Sequence, residues 1–82
     1  MMHVDFDPEV RAWYLTLADS PVAKTVHISD EVAVDVDESD EAVGVEFLFA
    51  PAELDPAVTE ALFRQFPAVR RALADLGALA VA

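Results

Sequence analysis

Cysteine is absent from the 82 residues, and with it go disulfides, thiolate metal sites, iron–sulfur clusters and cysteine nucleophiles. Glycine is almost as scarce: the chain has two, Gly44 and Gly77, too few for a glycine-rich phosphate loop or a dinucleotide fingerprint. His3 and His27 are the only imidazoles, and neither has a companion at ligand spacing. Positive charge is the third shortage, since five Lys and Arg face sixteen Asp and Glu and leave a formal charge of −11. Such a field repels phosphate backbones and anionic lipid, which excludes nucleic acid and membrane surfaces as partners. No apolar run approaches the roughly 20 residues that span a bilayer. The opening Met1-Met2-His3-Val4-Asp5 has no basic region followed by an apolar stretch. A soluble cytoplasmic protein is the expectation.

What remains is an apolar, foldable chain. Hydrophobic residues make up 55%, far from the composition of disorder, and the length suits one domain over residues 1–82. Residues 1–49 alternate with period two and residues 55–77 with the helical period. Val4 and Phe6 mark a first strand, and Trp13, Leu15 and Leu17 a second. Val22, Val26 and Ile28 follow on one face, then Val32, Val34 and Val36, then Val43, Val45, Phe47 and Phe49. A turn centred on Ser39-Asp40 pairs Val36 with Val43, Val34 with Val45 and Val32 with Phe47, and it sets Gly44 against Asp35 on the outer face. A glycine there signals a bulge or the close approach of another backbone. Asp55-Pro56 opens a helix, Pro67 kinks or divides it, and Gly77 closes it. Val58, Leu62, Phe66, Val69, Leu73 and Leu76 form its apolar stripe. The expected fold is α+β: a five-stranded, largely antiparallel β-meander with one or two C-terminal helices packed on its apolar face.

Charge is distributed as unevenly as hydrophobicity. Residues 1–54 carry thirteen acids and two bases, whereas residues 55–82 carry three of each. Asp35, Asp37, Ser39, Glu41 and Glu46 fall at calcium-loop positions, but Asp40 occupies the position that requires glycine, and strands replace the flanking helices. No metal or other cofactor is therefore expected. No serine lies in a nucleophile elbow or phosphate loop, and carboxylates are too abundant for any pair to be informative, so no catalytic residue is assigned. Parity places both histidines and Tyr14 on the outer face, Trp13 in the core, and Lys24 at an apolar margin where its stem can snorkel.

Several segments together resemble a small prokaryotic family filed as domain of unknown function 2283. They are Phe6-Asp7-Pro8-Glu9, Trp13-Tyr14-Leu15, Pro21-Val22-Ala23-Lys24-Thr25-Val26, Val34-Asp35-Val36-Asp37 and Val43-Gly44-Val45-Glu46-Phe47-Leu48. The resemblance spans about residues 3–50. The turn Glu38-Ser39-Asp40-Glu41 departs from it by lacking glycine, and residues 55–82 extend beyond it. It implies a strand-rich fold without recognised catalytic residues and, from proximity to small basic toxin-like proteins in some genomes, an antitoxin or partner-protein role.

The reading that follows is a non-enzymatic interaction or regulatory module. Asp35, Asp37, Glu38, Asp40 and Glu41 are its expected docking surface for a basic protein. Asp37 and Glu38 lie beside an exposed turn, where charge reversal is expected to spare the fold. A small domain with an apolar helix stripe also suggests a homodimer, with Phe63, Phe66 and Leu73 in the interface and Leu79 as a further spare apolar residue. The rival class is a small-ligand or metal-ion binder, or an enzyme completed at a dimer interface. A deep pocket beside Tyr14, His27 and Glu46 would be its mark.

Overall fold

The computed structural model of the protein describes residues 3–48 and 53–77. Met2 and Phe49, the expected ends of the strand region, lie outside these residues, as do Leu79 and most of the boundary segment around Pro51. Five strands come first: β1 (His3–Asp7), β2 (Ala12–Thr16), β3 (Lys24–His27), β4 (Val32–Val36) and β5 (Ala42–Phe47). Helices α1 (Pro56–Gln65) and α2 (Pro67–Asp75) follow. Every strand pairing is antiparallel, and the fold is α+β.

The spatial order is β1-β2-β5-β4-β3. Neighbours in sequence are neighbours in space from β1 to β2 and from β3 through β5, so the meander holds within those two groups. The β2–β3 connection instead crosses to the far edge, and β5 returns to lie beside β2, a Greek-key arrangement of the last four strands.

Alternation buries one face of this sheet. Leu15, Val32, Val34, Val36, Val45 and Phe47 point inward and meet Leu62, Val69, Ala72 and Leu73 from the helices. Trp13 packs against this core from its margin, as does Val58. Asp55 caps α1 by accepting a hydrogen bond from the Ala57 amide at 2.8 Å, with Pro56 in the first turn. Pro67 cannot donate to the Phe63 carbonyl, so the helix divides at Phe66 (φ −133°, ψ 77°) and restarts with Pro67 in its first turn. Both pieces keep the apolar stripe against the core from Val58 to Leu73, but Leu76, expected to continue it, is exposed at the end of α2. Gly77, at φ +69°, takes the left-handed conformation that ends α2.

The β4–β5 hairpin corrects one expected pair. Val32 faces Phe47, Val34 faces Val45 and Asp35 faces Gly44, but Val36 lies opposite Ala42, not Val43. The turn explains the shift. The Asp40 amide donates to the Asp37 carbonyl at 3.0 Å, and Asp40 itself sits at φ 62°, the left-handed place usually filled by glycine in such three-residue loops. That geometry sets one register, whereas the buried valines require the register one residue away. Val43, the extra residue on β5, is the bulge that reconciles them, and it stays buried.

Candidate docking surface

The acids of the hairpin differ in what their carboxylates already hold. Asp37 Oδ1 accepts from the Ser39 amide at 2.8 Å and the Glu41 amide at 3.0 Å, so it builds the turn from within. Reversal of Asp37 would therefore remove two turn contacts, contrary to the expectation from its place beside an exposed loop. Asp40 receives the Lys24 ammonium at 3.2 Å, with both side chains largely exposed. That pair fits a lysine stem running along the sheet margin with its charge in water. Glu38 and Glu41 are exposed and enter no ion pair among the described residues. Of the five expected docking acids, these two present the freest charge.

Asp35 serves a third purpose. Its Oδ2 accepts from the Tyr14 hydroxyl and its Oδ1 from the Thr25 hydroxyl, both at 2.6 Å. The register explains how three strands contribute to one cluster. Thr16, Gly44, Asp35 and Thr25 form a row across β2, β5, β4 and β3. Tyr14 stands in the adjacent row, opposite Glu46. Its ring leans across β5, over Gly44, to reach β4. A β-carbon built at Gly44 would fall onto the phenol, so the missing side chain makes room for a tyrosine rather than for backbone. Burial raises the Tyr14 pKa well above the ordinary tyrosine range, reinforced by the Asp35 hydrogen bond and charge and by the charge of Glu46. The phenol remains a protonated donor, and its chemistry here is to hold strands together.

The remaining candidate groups do not converge. His27 faces Ala33 on the outer surface, and His3 lies 3.1 Å from Asp5 at the opposite edge. Among the described residues no group of three or more His, Asp or Glu side chains is placed to hold a metal ion. The cavity beside His27 and Glu46 has a volume of about 70 Å³ and is not lined by Tyr14. That is room for a few waters rather than a typical small-molecule ligand, which occupies a pocket of roughly 300–1,000 Å³. A larger groove, of about 370 Å³, lies between the hairpin and the β2–β3 connection, lined by Ser20, Pro21, Val22, Ala23, Asp37, Glu38 and Ser39. Val22, expected on the inward face of the third strand, lies instead in this connection and is exposed, because β3 begins only at Lys24. Phe63 and Phe66, expected at a dimer interface, are half-buried on the helices, while Leu73 is enclosed in the chain's own core. Among the described residues no helix is long and apolar enough to cross a membrane.

Fold and surface define a small α+β domain with a hydroxyl–carboxylate tie on its polar face and an acidic hairpin at one end. A family model described as protein of unknown function DUF2283 matches residues 3–50, more than half of the chain, and the chain belongs to this family. The match covers the sheet and ends before the helices. No curated protein and no solved structure matched the chain.

Proposed function

We propose that this domain is a non-enzymatic protein-interaction or regulatory module, antitoxin-like in role, whose acidic hairpin docks a basic protein. The observation that carries the reading is the groove beside the hairpin. Pro21, Val22 and Ala23 give it an apolar wall, with Val22 53% exposed, and Glu38 places an exposed carboxylate beside them. A lysine or arginine side chain suits that pairing, its aliphatic stem on the wall and its cation at the rim. A partner captured by the wild-type protein should be basic. Its association rate should fall about tenfold or more between low salt and roughly physiological ionic strength, where the Debye length is about 8 Å. Glu38→Lys with Glu41→Lys should slow association similarly while leaving the turn intact. A rate indifferent to salt and to both reversals would sink the reading.

The same proposal includes a homodimer formed through the helices. Two copies each carrying −11 repel, and residues 55–82, with three acids and three bases, offer the face where approach is least opposed. Phe63 lines a groove there with Pro67, Arg70, Arg71 and Ala74. Light scattering should give a dimer mass at micromolar concentration, and Phe63→Glu a monomer. A monomeric wild-type protein removes this part.

A further inference from the structure

The two edges of the sheet are unlike. β3 is four residues long, follows Pro21 closely and carries Lys24, three features that discourage further strand pairing. β1 is five residues long, has no proline and pairs with β2 without irregularity. All five of its residues are exposed. Register puts Val4 and Phe6 on the core side of the sheet, opposite Leu15 and Trp13, yet Val4 is 39% and Phe6 46% exposed. The Phe6 ring lies on Trp13, 4.7 Å between centroids, and extends the core's apolar surface to the margin without being covered. On the opposite face of the same strand stand His3, Asp5 and Asp7.

We infer that the outer edge of β1 is a pairing site for a β-strand of a partner protein in which apolar residues alternate with Lys or Arg. Main-chain hydrogen bonds would extend the sheet by one strand. Alternation then sorts the partner's side chains: the apolar set lies on Val4 and Phe6, and the cationic set on the face of Asp5 and Asp7. Charge selects against a second copy of this chain. Full antiparallel overlap of His3–Asp7 with itself would set Asp5 against the same residue of the other copy, between molecules each at −11. The guard on this edge is therefore acidic, and it rejects an acidic strand while admitting a basic one.

The inference rests on the reading of the domain as a module for a basic partner, but it uses a surface separate from the hairpin, so the two fail separately. The probe is a short synthetic peptide alternating Val with Lys, titrated against the intact protein. Binding is followed through the sole tryptophan, Trp13, beneath Phe6, and through hydrogen exchange of the β1 amides. Binding should slow exchange of the outward β1 amides. Methylation of the peptide's pairing amides should weaken it by about tenfold or more, because ladder hydrogen bonds are lost while charge is kept. Asp5→Lys should weaken it comparably, and Phe6→Lys serves as a second variant provided its circular dichroism matches wild type. Glu38→Lys with Glu41→Lys should change it by less than about twofold, since distant sites act independently. Equal binding of the methylated peptide overturns the inference, as does loss of binding in the hairpin variant alone. Protection of β1 by self-association without peptide also overturns it, because the occupant is then a second copy.

Discussion

Gly44→Ala is expected to destabilise the domain by about 2 kcal/mol, lowering its melting temperature by roughly 10 °C for a chain this size. The usual effect of this substitution in a strand has the opposite sign, since alanine loses less backbone entropy on folding by about 0.5–1 kcal/mol. The sign reverses here because the new methyl would occupy the space of the Tyr14 phenol. The ring must swing outward, giving up its hydrogen bond to Asp35 and uncovering Gly44. Backbone at residue 44 is not itself strained, so the cost belongs to the pair. Tyr14→Ala should consequently abolish it, and adding Gly44→Ala to that variant should be neutral or slightly stabilising. Equilibrium unfolding of the four members of this cycle measures the coupling. Additive losses would show that the ring and the glycine are independent.

Alkaline pH should act on the same contact. Tyr14 is the only tyrosine, so the ultraviolet absorbance of phenolate reports this residue alone. Its pKa is raised above the ordinary value of about 10 by burial first and by Asp35 and Glu46 next. A raised value means that the folded state holds the proton more tightly than the unfolded state. The resulting stabilisation is complete below about pH 10 and is lost as pH climbs through the folded value. Phenolate should therefore appear together with the loss of circular dichroism, and stability should decline above about pH 10. Tyr14→Phe should show a shallower alkaline decline. A phenolate titrating near pH 10 in a chain that is still folded would mean that the ring is neither buried against the sheet nor bonded to Asp35 in solution.

Local chemistry made much of this architecture legible. Asp55-Pro56 and Pro67 mark the helix start and the break because cap and ring act within one turn. Valine parity places Val34 against Val45 because a one-residue slip would expose every apolar side chain of the hairpin. Gly44 opposite Asp35 signalled a bulge, and one lies beside that pair, but its place at Val43 was hidden, since it arises where turn geometry and core parity disagree by one residue. Strand order was hidden for a different reason. Leu15 meets Val45 across a pairing that no turn between them specifies, and without that pairing the reach of Tyr14 over Gly44 to Asp35 has no basis. Thr25 would have followed from matching Lys24 to Val36 by parity, which puts it opposite Asp35. The five hairpin acids looked equivalent because sequence shows charge without its hydrogen bonds. Asp35 and Asp37 are committed to hydroxyls and amides of their own chain, which leaves Glu38 and Glu41 more exposed.

The crossing from β2 to the far edge gives the sheet one seam unlike its others. β1–β2, β3–β4 and β4–β5 each join strands that follow one another in the chain, so each closes a short loop. The β2–β5 seam alone must bring together segments separated by two intervening strands, and it bears the largest loop-closure entropy of the sheet. The contacts that offset this cost are gathered there: Leu15 on Val45, the Leu17 amide on the Val43 carbonyl at 2.9 Å, and the tyrosine that reaches beyond the seam to the next strand. The hydroxyl–carboxylate tie thus acts where the chain has most freedom to lose. In topological terms it bolts an N-terminal hairpin onto a three-stranded unit, and the Gly44 position is the clearance cut for that bolt.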